Sequence, residues 1–136
     1  MTFDPTVDYP LGSRRPDLVE TPSGLALEEV TLESARAGTL VAADVRATSA
    51  TLARQAAVAR ATGRRQLADN LERAAELARV PDDQLLAIYT ALRPGRSTPA
   101  VLEEWAVRLD DWDAPLTAGF VREAATAYGE RGLGGV

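Results

Sequence analysis

From Thr31 onward, apolar residues recur at spacings of three and four, and proline falls only at the joints between those runs, at Pro81, Pro94, Pro99 and Pro115. A period near 3.6 is that of a helix with one buried face. Proline lacks an amide donor and clashes with the preceding turn, so it is tolerated at a helix start or beyond a helix end. Together these features predict an all-α fold, a small open helical bundle. Alternation with period two is nearly absent. Its best candidate, around Thr39 to Val45, is short and alanine-rich.

Cap chemistry places the elements. Thr31 suits the start of a short helix ending near Gly38, and Thr48 or Ser49 starts a second with Leu52, Ala56 and Ala59 on one face. Gly63 is either a true break or a weak point in one long helix. A third run, from about Arg64 to Arg79, carries Leu67, Leu71, Ala74 and Ala78, with Arg65–Asp69 and Asp69–Arg73 at i,i+4 on its exposed side. Pro81, followed by Asp82 and Asp83, opens a fourth with the stripe Leu85, Ile88, Tyr89 and Leu92, and Pro94 stops it. Thr98 with Pro99 opens a fifth, carrying Leu102, Trp105, Leu109 and Trp112. Asp113, a candidate cap, and Pro115 mark a kink or a restart before Leu116, Phe120, Ala124 and Tyr128. The glycine-rich end is expected to be loose.

Residues 1–26 differ from the rest, with Pro5, Pro10, Pro16 and Pro22 and a turn at Pro22-Ser23-Gly24. They are expected to form an extended N-terminal arm ahead of a helical domain at 27–136. Tyr9, Leu11, Leu18 and Val19 give the arm something to lay on another surface.

The core is expected to be thin. Hydrophobic residues make up 46% of the chain, but many are alanine and only 5% of residues are aromatic. Alanine buries little area, and 136 residues bury a smaller share of their surface than a larger domain does. A partner is therefore expected to supply part of the burial.

Missing residue types narrow the chemistry. The chain has no Cys and no His, and all 15 of its basic residues are arginine. Disulfides, thiolate metal sites, imidazole bases and lysine Schiff bases are thereby excluded. A net charge of −5 does not suit nucleic acid. No apolar run reaches the roughly 18 residues of a membrane span, and the first residues have no signal-peptide pattern, so a cytoplasmic location is expected. Asp110, Asp111 and Asp113 form the densest carboxylate cluster, but their spacing does not match a calcium loop. A polar helix junction explains them without catalysis. The doublets Arg14-Arg15 and Arg64-Arg65 suit solvent or an interface better than phosphate. Trp105 and Trp112 share a helical face, which suits core packing or a partner groove.

One stretch is distinctive as a whole. Residues 70–97 read NLERAAELARVPDDQLLAIYTALRPGRS, which closely resembles the small subunit of adenosylcobalamin-dependent diol and glycerol dehydratases. Tyr9-Pro10-Leu11, Thr31-Leu32-Glu33, Asp44-Val45-Arg46, the run Phe120 to Ala125, and Tyr128 resemble other parts of that family in the same order. The resemblance covers about residues 9–131. Gly95 departs from it, standing where an aromatic is expected. Pro115 interrupts a region expected to be continuous helix. Only eight residues precede Tyr9, whereas some relatives carry a long extension linked to microcompartment packaging, so packaging through this chain is not expected.

The resemblance implies a non-catalytic small subunit in a doubled complex of large, medium and small chains. It implies that the large subunit is a barrel holding substrate and metal, that adenosylcobalamin lies between the large and medium subunits, and that none binds this chain alone. The implied reaction converts a 1,2-diol, or glycerol, to an aldehyde plus water. No family catalytic, cofactor or metal residue can be carried onto this chain. Tyr9, Leu11, Arg93 and Arg96 are the candidate residues for contact with the large subunit. A free-standing helical adaptor is the alternative reading, and an acid–base enzyme built on the aspartates is a third.

Overall fold

A computed structural model describes residues 2–135. Among these residues the chain is all-α, with seven α-helices, three 3₁₀ turns and one isolated bridge between Glu20 and Ala26. It divides into two compact units, residues 1–78 and 79–136.

In the first unit, α1 (Leu11–Arg14) and a 3₁₀ turn at Pro16–Leu18 are short, as the surrounding prolines dictate. This proline-rich segment is fastened to the rest of its unit. Leu11 is buried, and the Arg54 guanidinium donates to the Leu18 carbonyl at 2.7 Å. Helix α2 (Leu32–Arg36) starts at Thr31, whose hydroxyl accepts from the Ser34 amide at 3.1 Å. The stretch Thr39–Val45 forms a 3₁₀ turn at Ala42–Val45 in place of a strand.

Asp44 is buried beneath this turn. Its carboxylate accepts from the Val41 amide at 3.0 Å and from the Ser23 amide at 3.2 Å. It thus joins the turn at Gly24, where φ is +88°, to a turn twenty-one residues later. Contacts with Ser23 first, and with the Val41 amide, hold this carboxyl below its ordinary value of 3.8.

Helices α3 (Ser49–Ala61) and α4 (Arg65–Leu77) form a hairpin. Thr48 caps α3 through the Thr51 amide. Gly63, at φ +78°, is a true break. The Arg64 amide donates to Ala59 at 2.8 Å and the Gly63 amide to Arg60 at 3.1 Å, the paired bonds of a Schellman ending. The buried residues between the helices are small: Ala56, Ala59, Ala68 and Ala75. Arg60 pins the hairpin by donating to Asp69 at 3.0 Å and to Glu72 at 2.7 Å. The buried stripe of α4 is displaced by one residue from the expected one. Leu67 is 44% exposed, while Ala68 is fully buried.

The second unit repeats this plan. Helix α5 (Asp82–Ala91) buries Ile88 and Ala91, and Tyr89, expected in its buried stripe, points outward. A corner follows in which the Arg96 amide donates to Arg93 at 3.1 Å, with Pro94 and Gly95 at its centre and Gly95 at φ +75°. Proline then a left-handed residue is the demand of a type II turn, which accounts for glycine where an aromatic was expected.

Thr98 caps α6 (Pro99–Asp111) through the Val101 amide. Helix α6 packs against α7 (Pro115–Arg131). Leu102, Ala106 and Leu109 meet Ala118, Val121 and Ala125 in the buried layer. Here too the stripe is shifted: Thr117, Ala118 and Val121 are buried, whereas Leu116 and Phe120 are exposed. Trp105 and Trp112 are half-buried, and Arg108 lies over the Trp105 ring at 4.8 Å.

Pro115 marks a restart, not a kink, and Asp113 does not cap α7. At φ +56°, it takes the left-handed place that ends α6. The Ala114 amide donates to Leu109 and the Asp113 amide to Asp110. Arg122 pins this hairpin through Glu103 at 2.9 Å and Asp110 at 2.8 Å.

The chain end is folded back rather than loose. Gly95 donates to Leu133 at 2.7 Å, and Gly135 donates to Ser97 at 2.8 Å. A Cβ on Gly135 would stand 2.9 Å from the Arg96 carbonyl carbon, so only glycine fits this approach.

Two outcomes follow from this geometry. Glycine at position 113 removes the cost of a left-handed L-residue and gives up only an exposed ion pair to Arg79. Asp113→Gly should therefore exceed Asp113→Ala in stability by about 1 kcal/mol in urea unfolding, reversing the order found inside helices. Asp44 should stabilise the fold above pH 3.8 and lose that effect as pH falls through its lower folded value. The stability gap between the natural chain and Asp44→Asn should narrow from about pH 6 to about pH 3. A gap constant over that range would contradict this account.

Candidate interaction surfaces

The aspartates do not converge. Asp110 is held by Arg122 at 2.8 Å, and Asp113 by Arg79 at 3.2 Å. These carboxylates are drawn to different arginines, and Asp111 stays exposed on the last turn of α6. Among the described residues no group of three acidic side chains is arranged to hold a metal. The cluster serves the helix junction: the Asp110 carboxylate pairs with Arg122 of α7, and the left-handed backbone of Asp113 ends α6.

The arginines separate into two classes. Arg15, expected at a surface, is instead buried and bridges Asp8 at 3.1 Å and Asp17 at 2.8 Å. Arg14 donates to the Val7 carbonyl at 3.2 Å. This first doublet is therefore structural. Arg93 and Arg96 form the second class: both are exposed, and among the described residues neither guanidinium has an ion-pair partner. Their corner is stiff. Pro94 and Gly95 set its turn, the chain end closes one side, and the Tyr128 hydroxyl donates to the Leu92 carbonyl at 2.6 Å. Two guanidinium forks are thus held outward on a rigid base, which suits bidentate recognition of carboxylates.

Of the remaining candidates, Tyr9 is 49% exposed. Leu11 is only 4% exposed and fills its own unit's interior, so it offers no surface to a partner.

Sequence reasoning missed Leu86. It is 69% exposed, with Tyr89 at 63%, and the two lie three residues apart on α5, which ends before Arg93. Tyrosine is enriched in binding hot spots, as is arginine, which follows the helix at Arg93. The signal was present as an i, i+3 pair. It was masked because Tyr89 also fits the stripe that contains Ile88.

The family model described as the dehydratase small subunit matches residues 5–133. The chain is 47% identical over 125 residues to the propanediol dehydratase small subunit of Citrobacter freundii, covering 91% of this chain and 73% of that protein. The propanediol dehydratase small subunit of Salmonella typhimurium is also 47% identical over 125 residues, with 72% of it covered. Most of the described chain, including both hairpins and the arginine corner, falls within the match, and the chain belongs to the dehydratase small-subunit family.

Proposed function

We propose that this chain is the non-catalytic small subunit of a propanediol dehydratase, acting in an adenosylcobalamin-dependent complex that converts a 1,2-diol to an aldehyde plus water. The observation that carries the reading is the 47% identity to propanediol dehydratase small subunits across 91% of the chain. Propane-1,2-diol is the substrate by those relatives' names, and glycerol is a second candidate of the same diol class. The complex is read as large, medium and small subunits, doubled, in the cytoplasm. No helix among the described residues is long and apolar enough to cross a membrane.

The cofactor does not fit this chain's own residues. Imidazole and thiolate, the usual protein donors to a transition metal, are absent from the sequence. We assign cofactor and substrate to the other subunits. The role read for this chain is to cover and brace the large subunit. Arg93 and Arg96 meet its carboxylates or carbonyls, with Leu86 and Tyr89 as apolar anchors beside them.

Co-expression with the other dehydratase subunits tests the reading: the chain should copurify with a large, barrel-containing partner. Recovery of the chain alone would favour a free-standing adaptor. Arg93→Ala with Arg96→Ala should weaken assembly by about 2–5 kcal/mol, because a buried partner charge loses its mate. The free chain's stability in urea should change by less than about 1 kcal/mol, since both side chains are exposed. Unchanged assembly in the double variant would reduce Arg93 to a helix-end role.

The cofactor assignment has its own check. Adenosylcobalamin titrated against the isolated chain should give no saturable change in corrin absorbance up to about 100 μM. Saturation near micromolar concentration would place a cofactor contact on this subunit.

A further inference from the structure

A second arginine doublet, Arg64-Arg65, remains without a structural duty. It lies at the start of α4, beside an open groove in the first unit of about 360 Å³. Val58, Ala59 and Leu71 line its floor, with Tyr9, Leu67 and Arg64 around it. Tyr9 is 49% and Leu67 is 44% exposed, so two large apolar side chains border the groove and remain accessible to solvent.

We infer that this groove seats an acidic amphipathic segment of another dehydratase subunit. The inference rests on the subunit reading above and adds the place and chemistry of one contact. Three observations carry it.

The first is charge. The chain as a whole has a net charge of −5, yet among the described residues that line the groove Arg64 is the one that carries a charge. Among the described residues its guanidinium has no ion-pair partner. On α4, Asp69 and Glu72 turn to Arg60, at 3.0 and 2.7 Å, and not to Arg64. An arginine without an ion-pair partner thus borders the groove, which complements a carboxylate.

The second is polar satisfaction. The Thr62 hydroxyl, also in the lining, is turned back onto the Val58 and Ala59 carbonyls at 3.1 Å. That end of the groove therefore offers arginine as its strong donor.

The third is length. The lining runs along α3 from Gln55 to Thr62, about 10 Å at 1.5 Å per residue. Two turns is the reach of i, i+4 and i+7 anchors on a docked helix. The volume lies near the lower bound for small-molecule sites, and the groove is open, which suits side chains laid across it better than an enclosed ligand.

The experiment measures binding of the purified chain to a complex of the remaining dehydratase subunits, with circular dichroism confirming that each variant is folded. Neither substitution disturbs the fold: Arg64 contributes only its backbone amide to the Gly63 turn, and Leu67 is outside the alanine layer. Arg64→Glu and Leu67→Asp should each weaken binding about tenfold or more, and Arg64→Lys, which keeps the positive charge, should lose less than Arg64→Glu. Added salt should reduce the difference between the natural chain and Arg64→Glu.

Binding by Arg64→Glu within threefold of the natural chain overturns the inference, and so does a loss confined to Leu67→Asp, which would indicate an uncharged occupant. A change in self-association without a change in subunit binding overturns it in favour of a second copy of this chain. A natural chain that binds no dehydratase subunit overturns the subunit reading itself, a result distinguishable from the others because it precedes any substitution.

Discussion

Alanine against alanine is the contact on which the first unit depends. Between α3 and α4 the buried layer is Ala56, Ala59, Ala68 and Ala75. Methyl groups let two helices approach closely, because side-chain size sets the interaxial distance. They also bury little apolar area, so such a hairpin has little hydrophobic stabilisation to hold its register. The structure adds directional contacts at and beside the connecting turn. The Schellman bonds at Gly63 fix the turn, and Arg60 crosses to Asp69 and Glu72. The second hairpin has more to bury in Leu102, Leu109 and Val121, but it keeps the same two devices, a left-handed ending at Asp113 and a crossing arginine at Arg122. Each arginine reaches two carboxylates. A shared fork holds geometry better than a single exposed pair, whose contribution is near zero to 1 kcal/mol.

The same constraint explains what could be read in the sequence. Helix ends depend on one or two adjacent residues, and Thr31, Thr48, Thr98 and Gly63 mark them by local chemistry alone. Helix faces were harder to read. On α4 and α7 the sequence carries two apolar stripes side by side, one of larger residues and one of smaller. Hydrophobic spacing favours the larger, Leu67 or Leu116 with Phe120. Close packing selects the smaller, Ala68 with Ala75 or Ala118 with Val121 and Ala125. Spacing alone cannot decide between them, because both repeat at the helical period.

Contacts distant in sequence were not legible. Asp44 joins turns twenty-one residues apart, and Gly135 lies against Ser97. Nothing local distinguishes that aspartate from its exposed neighbours, or that glycine from a flexible tail. The candidate surface was legible where it rests on local corner chemistry, as at Arg93, Pro94 and Arg96. It was not legible at Leu11, whose burial depends on the folding of the whole first unit.

Turning alanine inward has a consequence for surface composition. The large apolar residues displaced from the helix interfaces do not vanish; they face outward as Leu67, Leu86, Tyr89, Leu116 and Phe120. A chain built this way gives up hydrophobic stabilisation of its own fold and leaves that apolar surface exposed. Single exposed leucines are ordinary; on α5, Leu86 and Tyr89 are neighbours at i, i+3 and stand just before the exposed corner at Arg93. Any partner that bound the folded form and not the unfolded one would add to the chain's stability. The thin alanine interior and the exposed large residues are therefore two expressions of one packing choice: small residues bring the helices together, and the larger ones are left outside.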